Sequence, residues 1–169
     1  REGDHYVLNG SKIFITSGVR ADLVSVLART GDDPHGGLTF FAVERGMPGF
    51  TVSRALKKTG WRASDTGELS FQGVRVPAAN RLGAEGSGFV TLMKNFQNER
   101  LGLAIQGYAI AEICLEEAIR YAKTREVFGR TLNKYQVTRH KLADMATKVF
   151  TAKVSAYECA SRVQKGQYL

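Results

Sequence analysis

Cysteine is scarce in this 169-residue chain: there are two, Cys114 and Cys159. They stand far apart with no ligand-type spacing, which excludes a disulfide framework and a zinc site and leaves two ordinary thiols. Proline is almost as sparse, with Pro34, Pro48 and Pro77 all in the first half. No apolar run reaches the roughly 18 residues of a membrane-spanning helix, and the start lacks the charged, apolar and small-residue order of a signal peptide. We therefore expect a soluble, intracellular protein. There is no initiator Met either: the chain opens at Arg1 and runs at once into a strand-like pattern, so we expect it to be a piece of something longer. What is present, 43% hydrophobic and 24% charged residues, excludes a disordered or collagen-like chain. A chain of this length should bury roughly 70% of its extended surface, enough for a core without metal or disulfide support.

The chain changes grammar near Gly88. Residues 1–88 hold 14 of the 18 glycines and every proline, whereas the rest holds only Gly102, Gly107, Gly129 and Gly166. In the first half, short runs rich in β-branched and aromatic residues alternate with turn signals, which predicts strands. They are expected at Tyr6 to Leu8, Lys12 to Thr16, Leu23 to Thr30, Leu38 to Glu44, Phe50 to Leu56, Gly67 to Val74 and Arg81 to Leu82. Asn9-Gly10 reads as a two-residue hairpin turn, and Asp32-Asp33-Pro34-His35-Gly36-Gly37 as a longer loop.

In the second half the apolar period becomes helical. Leu101, Ala104, Ile105, Tyr108, Ala111, Leu115, Ala118, Ile119 and Ala122 recur at spacings of three and four, predicting a helix from about Phe89 to Arg125. A break marked by Gly129 follows at Val127 to Leu132. A second helix, about Asn133 to Gln164, places Leu142, Met145, Val149, Ala152, Ala156, Ala160 and Val163 on one stripe. The expected fold class is α+β: an antiparallel β-domain over residues 1–84, then a long antiparallel helical hairpin over residues 85–169. So long a hairpin leaves faces for further helices or another subunit to cover. Of the net charge of +8, the helical half carries 13 basic against 7 acidic residues. Such a surface suits an anionic cofactor or a nucleic acid, but its cations are scattered over both helices, which argues against the latter.

Six strings carry a resemblance through their order and spacing. They are Lys12-Ile13-Phe14-Ile15-Thr16-Ser17-Gly18, Gly60-Trp61-Arg62-Ala63-Ser64-Asp65-Thr66, Phe71-Gln72-Gly73-Val74-Arg75-Val76-Pro77, Gly86-Ser87-Gly88-Phe89, Asn98-Glu99-Arg100-Leu101 and Arg125-Glu126-Val127-Phe128-Gly129. Gln136 and Lys141-Leu142-Ala143-Asp144-Met145 extend them, so nearly the whole chain is covered. In these strings the chain resembles the acyl-CoA dehydrogenase family. The resemblance implies most of a middle β-domain and the first two helices of a C-terminal four-helix bundle. It places an N-terminal helical domain, a flavin-binding segment and further helices outside this chain.

By the same resemblance the cofactor is FAD. Phe14, Ile15 and Thr16 would lie at the isoalloxazine ring, where relatives most often have Trp in place of Phe14; the ring face is kept and one N–H donor is lost. Arg125, Val127 and Phe128 would meet the FAD of a neighbouring subunit, with Arg125 forking onto pyrophosphate oxygens. Relatives often have Thr where Val127 stands. Tyr135 and Gln136 would approach the adenine portion, Ser64 the pantetheine or phosphate region of the substrate, and Gln97, Asn98 and Arg100 the substrate as well.

Dehydrogenation of an acyl-CoA needs a carboxylate at Cα and donors to the thioester carbonyl. Some relatives hold that base on a late segment absent from this chain. The long-chain-like and isovaleryl-like group holds it just before the Arg of the first bundle helix, which is Glu99 here. On sequence alone, Glu99 is a solvent-facing helix former. The implied partners are an acyl-CoA, an electron-transferring flavoprotein and further copies in a homotetramer, in the cytoplasm of a bacterium or the mitochondrial matrix of a eukaryote. An oxidase-like relative, a dehydrogenase-like DNA-binding protein and a non-catalytic fragment are the competing readings. Acyl chain length and branching are not legible.

Overall fold

The computed structural model describes residues 1–167; Tyr168 and Leu169, at the end of the expected helical domain, lie outside the described residues. The chain divides into two compact units, Arg1–Met93 and Lys94–Leu169.

The first unit contains strands β1 (His5–Thr16), β2 (Leu23–Arg29), β3 (Leu38–Glu44), β4 (Phe50–Ala55), β5 (Thr66–Pro77) and the short β6 (Arg81–Leu82). They form two antiparallel three-stranded sheets, ordered β1-β5-β4 and β2-β3-β6. Alternation puts Tyr6, Leu8, Leu69, Phe71, Val74 and Val76 of the first sheet and Val26, Phe41 and Val43 of the second into one core. Tyr6 packs on Phe41 with ring centroids 4.7 Å apart, and its hydroxyl donates to Glu85 at 2.8 Å. Among the described residues the one buried polar side chain, Thr39, is satisfied twice: its hydroxyl bonds Thr30 at 2.7 Å and accepts the Gly86 N–H at 2.9 Å.

The expected hairpin at Asn9-Gly10 is corrected. Residues on both sides of it pair with the same neighbour, from His5 opposite Pro77 to Thr16 opposite Thr66, so β1 is one continuous strand. Gly10 has positive φ but Asn9 does not, and a type I′ turn needs both. The irregularity is instead a bulge, in which the Asn9 side chain accepts the Gly73 N–H at 2.8 Å. The other strands match expectation to within a few residues at their ends.

Helix α1 runs Gly88–Thr124, 37 residues and about 55 Å at 1.5 Å per residue. Its first residue must be glycine, because a Cβ there would lie 2.6 Å from Leu27 Cδ1 and 2.7 Å from the Leu38 carbonyl oxygen. In the second unit the expected break is a two-residue-strand hairpin, β7 (Glu126–Val127) with β8 (Arg130–Thr131), followed by a 3₁₀ turn at Leu132–Lys134. That turn takes the residues with which the second helix was expected to begin, and α2 runs Gln136–Gln164. α1 and α2 lie antiparallel: Tyr108 faces Tyr157 at 6.4 Å, Glu112 bonds Lys153 at 2.8 Å, and Leu115 and Ile119 share a groove with Ala146, Val149 and Phe150. The hydrogen-bonded Glu112 carboxylate raises Lys153 above its ordinary pKa.

Two truncations separate fold from function. Phe41→Ala removes a fully buried ring and should cost about 3–5 kcal/mol in urea unfolding, whereas Phe14→Ala, at 72% exposure, should change stability by no more than about 0.5 kcal/mol.

Candidate functional site

Backbone conformation sorts the candidates. Among the described residues, four non-glycine residues have positive φ: Phe14 (61°), Ser17 (59°), Trp61 (54°) and Phe128 (51°). Each such conformation costs of order 1–3 kcal/mol and persists where surroundings impose it, most often at functional sites. Phe14 and Phe128 are candidate cofactor residues, Ser17 follows a third, and Trp61 stands three residues before Ser64. The three aromatic ones are also exposed, at 72%, 76% and 94% for Phe14, Trp61 and Phe128.

In the first unit the structure brings Phe14, Ile15, Thr16 and Ser64 to one end of the β1-β5-β4 sheet. A register shift between Lys12 and Ile15 leaves Ile13 and Phe14 both exposed, breaking the alternation of a regular strand. Ile15 packs against the core, so what it offers outward is backbone. Thr16 is exposed and pairs with Thr66. The turn beyond it is closed by Gly18 N–H to Ile15 C=O at 3.1 Å and Ala21 N–H to Ser17 C=O at 2.9 Å.

Asp65 ties this turn to the Ser64 loop. Its carbonyl accepts the Ser17 N–H at 2.9 Å, its carboxylate accepts the Val19 N–H at 2.8 Å, and Arg20 pairs with it at 3.0 Å. The carbonyl of half-buried Ser64 accepts Lys58 Nζ at 2.5 Å. A cleft lined by Leu56, Lys57, Lys58, Arg62, Ser64 and Thr66 opens beside it. Sequence reasoning missed Ser17, Trp61 and Asp65 as site residues. A bond from Asp65 to an N–H 46 residues away leaves no sequence signal.

In the second unit the candidates form two groups. Gln97, Asn98, Glu99 and Arg100 occupy one turn of α1, where Asn95 Nδ2 donates to Glu99 Oε1 at 2.6 Å and the Arg100 guanidinium lies over the Phe96 ring at 5.8 Å. Arg125, Val127, Phe128, Tyr135 and Gln136 gather around the β7-β8 hairpin, whose two turn residues, Phe128 and Gly129, both have positive φ as a type I′ turn demands. The Tyr135 hydroxyl donates to the Val127 carbonyl, and Arg130 stacks over the Tyr135 ring at 4.1 Å. Leu132 N–H to Arg125 C=O at 2.9 Å closes the hairpin and leaves the Arg125 side chain exposed. The two groups stand apart. Some 26 residues of helix between Glu99 and Arg125 separate them by about 39 Å.

Among the described residues, no group of three or more His, Cys, Asp or Glu side chains could hold a metal ion, and no helix is long and apolar enough to cross a membrane.

Comparison with known proteins identifies the family. Residues 1–74 match the acyl-CoA dehydrogenase middle domain, and residues 86–169 match the acyl-CoA dehydrogenase C-terminal domain. The chain belongs to the acyl-CoA dehydrogenase family. It is 43% identical over 167 residues to a short-chain-specific acyl-CoA dehydrogenase of Clostridium acetobutylicum, covering 98% of this chain and 44% of that protein. To the mitochondrial isovaleryl-CoA dehydrogenase of Pongo abelii it is 40% identical over 169 residues, 98% of this chain and 40% of the relative. The crystal structure of a probable acyl-CoA dehydrogenase from Mycobacterium abscessus superposes with a TM-score of 0.92 at 52% identity, covering 99% of this chain and 45% of that one. The chain thus spans less than half the length of the curated relatives it matches.

Phe128→Gly tests the strain assignment. Glycine adopts positive φ freely, so the variant should unfold at the same temperature or higher, gaining up to about 1 kcal/mol despite losing an aromatic side chain.

Proposed function

We propose that this chain is the part of an FAD-dependent acyl-CoA dehydrogenase that carries the catalytic base, one wall of the flavin site and a reach toward a neighbouring subunit's cofactor. The overall reaction is the α,β-dehydrogenation of an acyl-CoA thioester to a trans-2-enoyl-CoA. The observation that carries this reading is the coincidence of exposed aromatic side chains with imposed positive φ at Phe14, Trp61 and Phe128. Each contributes little to the unit's own core, so its strain finds its use in a ligand.

The residues fit FAD by their chemistry. Phe14 offers an exposed apolar ring face, Ile15 backbone and Thr16 an exposed hydroxyl, on a strand end fixed by pairing with β5. Arg125 offers a permanent charge with forked donors, and Phe128 an almost fully exposed ring. Val127, Tyr135 and Gln136 complete that surface, with Tyr135 bracing Val127. Bound FAD would supply the acceptor for the β-hydrogen and its electron pair.

The remaining chemistry belongs to side chains of this chain. Glu99 takes the α-proton; Asn95, one helical turn earlier, donates to Oε1 and so fixes which way the carboxylate faces. Arg100 contacts the substrate near its CoA moiety, Gln97 and Asn98 flank the same site, and Ser64 contacts the pantetheine or phosphate region. Because about 39 Å of helix stands between Glu99 and Arg125, one chain cannot present both to one flavin's reacting ring. That separation supports a subunit arrangement in which Arg125 and Phe128 serve the cofactor of a partner, and with it a homotetramer built as a dimer of dimers. Electrons leave to an electron-transferring flavoprotein. In an oxidase-like relative oxygen would take them, and anaerobic against aerobic reoxidation tells the two apart.

Anaerobic addition of a panel of acyl-CoAs to the full-length protein should bleach the visible flavin band with at least one member. A flavin that stays oxidised with every thioester overturns the reading and brings salt-dependent DNA binding forward. Glu99→Gln should abolish bleaching while FAD stays bound; retained bleaching moves the base outside this chain. Phe128→Gly, stable by the argument above, should lose FAD more readily on dilution.

A further inference from the structure

We propose that Asp65 is a positioning residue for the dehydrogenation: it clamps the flavin-facing turn Phe14–Ser17 to the loop that carries Ser64. This rests on the assignment of Phe14–Thr16 to the flavin and Ser64 to the substrate made above.

Asp65 reaches the turn with three groups. Its carbonyl holds the Ser17 N–H at 2.9 Å, one carboxylate oxygen holds the Val19 N–H at 2.8 Å, and the other faces Arg20 at 3.0 Å. Ser17 is one of the strained residues, at φ 59°, and Phe14, three positions earlier, is another at 61°. A segment with two such residues in four does not hold its shape by local preference, so a constraint from outside must hold it. The strand ladder supplies part of it, since Ile15 pairs with Gly67 and Thr16 with Thr66, but that ladder ends at Thr16. Beyond it, two side chains meet the turn from opposite directions: Asp65 takes its N–H groups, and Arg45 donates to the Val19 carbonyl at 2.6 Å and the Ala21 carbonyl at 3.0 Å. Of the two, only Asp65 also belongs to the loop that carries Ser64. Gly67 lets the two segments close up: a Cβ there would stand 3.3 Å from both Gly18 C and Val19 N.

The charge matters less than the acceptor. Arg20 is two-thirds exposed, and exposed ion pairs of this kind contribute little. The Asp65 carboxylate is three-quarters covered and accepts a backbone N–H that has no other partner among the described residues, so losing it leaves that donor without a protein acceptor. Asp65 is also the direct chain neighbour of Ser64, whose own carbonyl is tied to Lys58. Asp65 is therefore the residue that couples the substrate-side hydroxyl of Ser64 to the turn following the flavin-side hydroxyl of Thr16.

The test uses the full-length holoenzyme and reads the single-turnover rate of flavin bleaching per bound flavin at saturating acyl-CoA, together with KM and the urea midpoint. The wild type is measured first, and bleaching there establishes the underlying reading independently. Asp65→Asn keeps an acceptor for Val19 and should stay within about twofold of the wild-type rate, while Asp65→Ala should fall by about tenfold or more at saturation, as small displacements of reacting groups do. A clamp that serves stability alone would lower the midpoint of Asp65→Ala and leave its rate per bound flavin unchanged, which overturns the proposal. Should Asp65→Ala retain no flavin, Asp65→Glu decides: it keeps the charge but moves the carboxylate by one methylene, and a slowed rate supports positioning whereas a wild-type rate overturns it.

Discussion

The β1–β5 ladder is the constraint on which the first unit depends. Twelve residues of each strand run antiparallel from His5 opposite Pro77 to Thr16 opposite Thr66, and six of the nine core residues sit on these two strands. A one-residue slip would turn Tyr6, Leu8, Leu69, Phe71, Val74 and Val76 outward together, so register is fixed by burial. Near the middle of the ladder the bulge opposite Gly73 keeps both halves of β5 facing the core despite an extra residue. At its far end the same ladder delivers Thr16 and Asp65 side by side. The position of the candidate flavin wall thus follows from a hydrophobic register set some ten residues away, and the placement of Thr16 depends on packing at Val74 and Val76.

The second unit works by length instead of by burial. Ala122 and Ala156 are its only fully buried apolar residues among those described, and both are small. Large side chains such as Leu103, Ile110, Ile113, Phe150, Val154 and Tyr157 remain exposed. The Glu112–Lys153 pair, with Tyr108 and Tyr157 beside it, fixes the register of the two helices, but it is partly wet and contributes modestly. What the helix pair provides is distance. A rigid rod delivers Glu99 and the Arg125 hairpin to two places that no compact fold of this size would keep so far apart.

Much of this was legible in the sequence. Runs of β-branched and aromatic residues between turn signals gave the sheet unit and a 3.6-residue period gave both helices, while Glu99, Arg125 and Phe128 stand as candidates through the family resemblance. What failed did so for physical reasons. Asn9-Gly10 carries the strongest short-range hairpin signal, yet long-range pairing with β5 overrode it, since a local turn preference of about 1 kcal/mol cannot compete with a core register. The break in strand alternation at Phe14 could not be read, because a positive φ leaves no trace in residue identity when the residue is not glycine. Asp65 was hidden for a third reason: turn-forming Asp and clamping Asp are the same letter, and only the fold shows which N–H it meets.

These failures share a direction. Each lies where the chain departs from its own local preference, and most lie beside residues assigned to cofactor or substrate. An unstrained strand would alternate through Phe14 and bury what it could, and an unstrained hairpin would put Asn or Gly where Phe128 stands. Such a chain would be more stable and would present no ring to a ligand. The strain at Phe14, Ser17 and Phe128 is met by neighbours that local sequence does not reveal: the end of the β5 ladder, Asp65 and Arg45 on the turn beyond it, and the Tyr135 hydroxyl on Val127. Function in this chain is therefore written twice, once in the exposed residues that would touch the ligand and once in the covered ones that hold them in conformations they would not choose.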